Sequence, residues 1–121
     1  MLTDDRYEHL LVERRDHGIA VVTLNRPDRL NAVNKVLHNE LASFTLDAQQ
    51  DASVRVVVLT GAGRAFCAGG DFSGDEWAGA DPNALDEGRQ IVDNLLDLQK
   101  PIVAAVHGYA MGLGATISLL L

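Results

Sequence analysis

The sequence predicts an α/β fold assembled from stacked β-β-α units. The order strand, glycine-rich turn, helix occurs twice, at residues 54–98 and again from residue 102 onward. Apolar residues make up 47% of the chain and aromatics 5%, which points to the aliphatic core of a globular α/β protein. At 121 residues the chain fits one modest domain, and a chain of that size buries about two-thirds of its unfolded surface.

Two strands come first. Residues 7–14 and 19–25 carry the apolar runs, and Asp16-His17-Gly18 between them predicts a tight hairpin turn. Arg26-Pro27-Asp28 ends the second strand, because proline cannot donate to a ladder. Leu37, Leu41, Phe44 and Ala48 recur on one helical face, so a helix is expected from near Asn34 to near Asp51. The continuous apolar run 54–59 predicts a strand buried on both faces. Residues 60–70 form a first glycine loop, and Gly74, Gly79 and Pro82 mark a mobile loop over 73–83. Leu85, Ile91, Val92, Leu95 and Leu96 form the apolar stripe of a helix over 82–98, with Pro82 near its start and Lys100-Pro101 beyond its end. Residues 102–106 are the next buried strand, and after a second glycine loop a helix is expected over 115–121. The run Leu119-Leu120-Leu121 puts uncovered apolar surface at the end of that helix. Such a patch implies a truncated domain or a covering polypeptide, and an exposed face at 117–121 predicts self-association.

The bulk properties exclude several function classes. No apolar run reaches the roughly 18 residues that span a bilayer. Residues 1–15 include Asp4, Asp5, Arg6 and Glu8 and no apolar core, unlike a signal peptide. A single cysteine rules out an internal disulfide and fits a reducing, cytoplasmic setting. The net charge of −7 argues against a nucleic-acid partner, which needs many Lys and Arg contacts. A smaller anionic ligand is compatible with local cations, and Arg26, Arg29, Arg55 and Arg64 lie near the early loop or the glycine turns.

The two glycine turns are the informative motifs. Arg64-Ala65-Phe66-Cys67-Ala68-Gly69-Gly70-Asp71 and Gly108-Tyr109-Ala110-Met111-Gly112-Leu113-Gly114-Ala115 each follow an apolar run. A strand that runs into such a turn leaves backbone N–H groups without ladder partners, and two of them make a two-donor anion site. The carboxyl ends of parallel strands are also where α/β proteins place ligands. The plainer reading is that the glycines serve only positive φ. Neither turn completes Gly-x-Gly-x-x-Gly, since Phe66 and Ile117 stand at the last positions, and no Gly-Lys-Ser/Thr occurs. His9, His17, His38, His107 and Cys67 lack ligand spacing, so no metal site is expected. Cys67 reads as a small buried thiol rather than a nucleophile, with no histidine in register. Asp71 could act as a base, but an Asp directly after a turn more often caps the next helix.

At these loops the sequence resembles the crotonase superfamily, the enoyl-CoA hydratase/isomerase family. The matching stretches are Ala20-Val21-Val22-Thr23-Leu24-Asn25-Arg26-Pro27, Leu30-Asn31-Ala32, Val54-Arg55-Val56-Val57-Val58-Leu59-Thr60-Gly61, Ala65-Phe66-Cys67-Ala68-Gly69-Gly70-Asp71, and the segment from Lys100-Pro101 through Gly112. They follow the family's order and spacing from about residue 7 to the end; residues 73–83 match least. The resemblance implies a spiral of β-β-α units, here truncated before the C-terminal helical part, assembled as trimers or dimers of trimers. It implies acyl-CoA thioesters as substrates, with coenzyme A part of the substrate and no separate cofactor. It places the thioester oxygen between the N–H groups of Gly70 and Leu113, whose enolate-like oxyanion they stabilise. The CoA portion is expected along the early loop and first turn, with Arg26 and Arg29 at its phosphates and the backbone of Leu30, Ala68 and Gly69 near the adenine. Asp71 belongs to the same binding stretch, Phe72 is expected at the acyl channel, and Trp77 either there or in ordinary loop packing.

One departure limits the reaction. Hydratases of this family carry a catalytic Glu in the second loop where this sequence has Thr116, which has no useful basicity near neutral pH. The family's other acid/base carboxylate is expected further along than Leu121. The implied activity is enoyl-CoA hydration or isomerisation through a stabilised enolate. A one-carboxylate isomerisation, another reaction of the same fold, or a non-catalytic acyl-CoA-binding or subunit-interaction module are the alternatives. The 121-residue chain alone is expected to show little activity.

Overall fold

The computed structural model describes residues 1–71 and 82–121. Its framework is a four-stranded sheet in the order β1-β2-β3-β4. The strands are β1 (Leu10–Arg15), β2 (Ile19–Leu24), β3 (Val56–Gly61) and β4 (Ile102–Ala104). β1 and β2 form the expected antiparallel hairpin, whose turn holds His17 at φ 69° and Gly18 at φ 78°. β2 pairs parallel with β3, and β3 parallel with β4. Three α-helices lie among the described residues: α1 (Lys35–Gln50), α2 (Ala84–Asp97) and α3 (Leu113–Leu120).

The α1 periodicity translates directly into packing. Leu37, Leu41, Phe44 and Ala48 are all fully buried in one core cluster with Ala20, Val22, Leu24, Val57 and Leu59 of the sheet. Asn34 caps the helix, its side-chain oxygen accepting from the Leu37 N–H at 2.9 Å. α2 packs on α1, and α3 touches α2.

Several expectations are corrected. The first strand starts at Leu10, not near Tyr7, because the preceding N–H groups bond elsewhere. The Glu8 and His9 amides donate to the buried Glu40 carboxylate at 3.0 and 2.8 Å, and the Tyr7 hydroxyl donates to Asp47. The run 54–59 is not buried on both faces. In β3, buried and half-buried residues alternate, with Val57 and Leu59 inward. The register with β2 begins at Val56, which also draws Thr60 and Gly61 into the strand. β4 is shorter than expected, and its Val103 is 54% exposed. Helix α2 begins after Pro82 and Asn83 instead of at Pro82, and α3 begins at Leu113, before Ala115. Ile117 is 1% exposed and belongs to the core, so the open part of the leucine end is Leu119 and Leu120. Among the described residues, no helix is long and apolar enough to cross a membrane.

A second, smaller layer completes the spiral. Beyond each of the last three strands the chain runs through a short extended segment before its helix. Val33 bridges Gly70 in parallel, and Cys67 bridges Ala110 in parallel. Each turn of chain therefore consists of a strand in the main sheet, a short strand-like segment in the second layer, and a helix, which is the expected β-β-α stacking.

Candidate active site

The second layer brings the two glycine turns together. The segment 65–71 lies between the early loop and the segment 107–111. On one side the Val33 N–H donates to Gly69 O at 2.7 Å and the Asp71 N–H to Val33 O at 3.0 Å, while the Ala68 N–H donates to Leu30 O at 3.0 Å. On the other side the Phe66 N–H donates to His107 O, the Cys67 N–H to Tyr109 O and the Met111 N–H to Cys67 O, at 2.8, 3.0 and 2.9 Å. Gly69 (φ 94°) and Gly112 (φ 55°) meet backbone to backbone: a Cβ on Gly69 would lie 3.2 Å from Met111 O, and one on Gly112 would lie 3.3 Å from Gly69 Cα. Here glycine is needed for close approach as well as for positive φ.

The free donors follow from this pairing. In the parallel bridge the two residues flanking Gly70 bond to Val33, so the Gly70 N–H faces the other way. Leu113 is the first residue of α3, and the N–H groups of a first helical turn have no intrahelical acceptor. Neither the Gly70 nor the Leu113 N–H donates to an acceptor among the described residues. Gly70 is exposed, and the Leu113 side chain packs against the core. The α3 N-terminus adds its dipole, which favours an anion at that position.

Beneath the turns lies Cys67. Its thiol is fully buried, and burial pushes its pKa up against the opposing pull of the Gly69 and Gly114 N–H groups directed at it. A Cβ on Gly114 would lie 2.8 Å from Cys67 Cβ. The residue fills space between the turns, as its sequence context implied, and a protonated buried thiol is a poor nucleophile.

The charged residues sit differently from the expectation. Arg26 was expected at a ligand phosphate, yet its side chain is only 9% exposed. It donates to Asp71 Oδ2 at 3.1 Å and to the Ala32 carbonyl. The Asp71 carboxylate takes Arg26 as a partner, and the segment 72–81 that bears on its expected capping role lies outside the described residues. Arg29 is exposed at the end of a short 3-10 turn, next to Leu30 in the left-handed region at φ 52°. Thr116 is exposed on α3, its hydroxyl donating to Gly112 O at 3.3 Å. Phe72 and Trp77 lie outside the described residues.

A model of the enoyl-CoA hydratase/isomerase family matches residues 14–120. The chain belongs to that family. This enoyl-CoA hydratase/isomerase family member is 40% identical over 111 residues to the 1,2-epoxyphenylacetyl-CoA isomerase of Escherichia coli, covering 86% of this chain and 42% of that protein. It is 36% identical over 108 residues to a probable peroxisomal enoyl-CoA hydratase of Arabidopsis thaliana, covering 89% of this chain and 40% of that one. Its fold superposes on the crystal structure of an enoyl-CoA hydratase/isomerase from Mycobacterium paratuberculosis with a TM-score of 0.82 and 42% identity, over 93% of this chain and 46% of that one. A monofunctional enoyl-CoA isomerase from Mycobacterium smegmatis gives a TM-score of 0.75 at 35% identity, over 93% of this chain and 46% of that one. The chain thus spans less than half the length of these relatives. The crotonase fold expected from the motifs is the fold observed.

Sequence reasoning missed the residue that organises this family member's early loop. Asn31 is fully buried at φ 56°. Its Oδ1 accepts from the Arg26 N–H at 2.8 Å, and its Nδ2 donates to Ala62 O and Ala65 O at 2.9 and 2.8 Å. One amide side chain therefore ties the early loop to the start of the first glycine turn. The available signal was a lone Asn, a residue tolerant of the left-handed region, inside an otherwise apolar Leu-Asn-Ala.

Proposed function

We propose that this chain carries the thioester-binding half of an acyl-CoA enzyme of the enoyl-CoA hydratase/isomerase type. The observation that supports it most is the pair of N–H groups, Gly70 and Leu113, on adjoining glycine turns, neither of which bonds to an acceptor among the described residues. A thioester carbonyl seated between them gains negative charge as the α-proton leaves. Two fixed donors and a helix N-terminus stabilise that enolate more than the neutral ground state. The Leu113 donor is its amide, so its side chain can pack against the core without loss of the donor. The adenosine end of CoA would run along Leu30, Ala68 and Gly69, with Arg29 an exposed cation near its phosphates. Arg26 is less suited to that task, since its guanidinium is buried and bonded to Asp71.

The proton-transfer group is a separate matter. Thr116 hydrogen-bonds its own helix and offers no base. The reading therefore favours a reaction in which a single carboxylate, supplied outside these residues, shuttles the proton, as in a double-bond isomerisation. Hydration by paired carboxylates fits less well. The homo-oligomer implied by the family forms part of the same proposal, in line with the exposed Val103, Tyr109, Met111 and Leu119.

The test replaces Gly70 by Pro, which deletes the N–H. Turnover of an enoyl-CoA by the whole protein is expected to fall about 10²–10³-fold, as for loss of one oxyanion donor. A loss of less than about tenfold refutes the assignment. Calorimetry with an acyl-CoA on the 121-residue chain separates binding from catalysis, and binding without turnover supports the binding-module alternative.

A further inference from the structure

Resting on that oxyanion reading, we propose that the Arg26–Asp71 ion pair is a positioning device for the Gly70 N–H, and that Arg26 acts on the reaction through that donor instead of through the substrate's phosphates.

The geometry is specific. The bridge between Val33 and Gly70 is the backbone contact that orients the Gly70 peptide. Arg26 spans that bridge. One of its guanidinium nitrogens donates to the carbonyl of Ala32, the residue before Val33. The other donates to the carboxylate of Asp71, the residue after Gly70, at 3.1 Å. A planar guanidinium can hold two acceptors in fixed relation, which a point-charge ammonium cannot. Both side chains are more than nine-tenths buried, at 9% and 6% exposure, so solvent does little to screen the pair. The Arg26 backbone is itself fixed by Asn31, whose Oδ1 accepts from the Arg26 N–H.

Charge gives a second reason. Asp71 places a carboxylate one residue from a group that must stabilise a developing anion. Left uncompensated, that carboxylate would raise the energy of the enolate through the same low-dielectric surroundings that strengthen the donor. Arg26 neutralises it at contact distance. The pair therefore holds the peptide in place and removes the charge that would oppose its function.

The experiment uses two probes. CoA tests the nucleotide contacts alone. Acetoacetyl-CoA ionises to an enolate with its own ultraviolet band, and its apparent ionisation pKa when bound reports the strength of the oxyanion site. Two variants are compared with the parent, Asp71→Asn and Arg26→Lys, each checked for folding by circular dichroism. Both are expected to bind CoA as the parent does, while the bound enolate weakens and ionisation of acetoacetyl-CoA moves to higher pH. In Asp71→Asn the uncompensated Arg26 charge by itself would favour the enolate, so a shift to higher pH there reads the lost hold on the Gly70 peptide, and a shift to lower pH overturns the proposal. The loss for Asp71→Asn is expected to approach the roughly 10²-fold effect of misplacing a reacting group by about 1 Å. Arg26→Lys keeps the positive charge but cannot hold both acceptors, so its loss is selective too, though smaller. If Asp71→Asn does not fold, Arg26→Lys alone decides. An unchanged enolate band in the folded variants overturns the proposal. A parallel loss of CoA and enolate binding also overturns it, and returns Arg26 to a phosphate contact. A parent protein that binds acetoacetyl-CoA without ionising it refutes the underlying oxyanion reading instead, which keeps the two failures apart.

Discussion

Replacing Gly108 by Ala tests how the second glycine turn is held against the first. Gly108 has φ 63°, and a Cβ there would lie 2.0 Å from Arg64 O and 3.1 Å from Arg64 C. Two costs add. A non-glycine residue in the left-handed region costs about 1–2 kcal/mol. Relieving a clash with backbone, which cannot swing away like a side-chain tip, costs about another 1–3 kcal/mol. The sum is about 2–5 kcal/mol, a large share of the stability of a domain this small. The clash also sits between two bonds that join the turns, Phe66 N–H to His107 O at 2.8 Å and Cys67 N–H to Tyr109 O at 3.0 Å. Relaxing it moves the segment 107–111 away from 65–67, and with it Leu113 relative to Gly70. Urea unfolding measures the stability loss, and the acetoacetyl-CoA enolate band measures the site. Gly88→Ala is the control. Gly88 lies inside α2, its nearest neighbour to an added Cβ being His38 Nε2 at 3.7 Å. That substitution is expected to stabilise by about 0.5–1 kcal/mol, the helix-interior cost of glycine. A Gly108→Ala protein within about 1 kcal/mol of the parent refutes the strain argument.

Three further outcomes follow from named contacts. Asp51 is buried and accepts from the Ser53 hydroxyl and N–H, the Arg14 guanidinium and the Leu2 N–H, and the Ser53 hydroxyl bond is the largest of the causes holding its carboxyl well below the ordinary 3.8. Its stabilisation is therefore complete above pH 3.8 and is lost as the pH falls below that value. Asp51→Asn should cost about 1–3 kcal/mol in urea unfolding at about pH 7 and about 1 kcal/mol less at about pH 3; an equal cost at both would sink the argument. Glu40 acts in the opposite sense: burial, only partly offset by the His9 and Glu8 N–H groups, raises its carboxyl above 4.5, so its penalty is relieved as the pH falls through the raised value. Ile117→Ala should destabilise by about 2–5 kcal/mol as a core truncation, while Leu119→Gln should stay within about 0.5 kcal/mol and reduce self-association in sedimentation. Equal effects of the two would contradict the burial of Ile117 at 1% against 87% exposure for Leu119.

The sequence by itself determined which segments become strands and helices, and which family they belong to. The α1 face of Leu37, Leu41, Phe44 and Ala48 was legible because helical periodicity depends only on local spacing, and all four residues are fully buried. The two glycine turns were legible as turns because glycine tolerates positive φ and close backbone approach, as at Gly69 and Gly112. Tertiary structure decided what covers each face and where each charge goes. The apolar run in β3 did not reveal that its Val56 and Val58 face stays half-buried, because a hydrophobic side chain does not encode its neighbour. Arg26 read as a cation for a phosphate, yet its partner Asp71 lies 45 residues further along and becomes adjacent only when Val33 and Gly70 pair. The proximity of Gly69 to Gly112, on which the proposed pairing of the Gly70 and Leu113 N–H groups rests, has the same origin. Motifs name the groups that can act, but long-range backbone pairing sets the distances that allow them to act together.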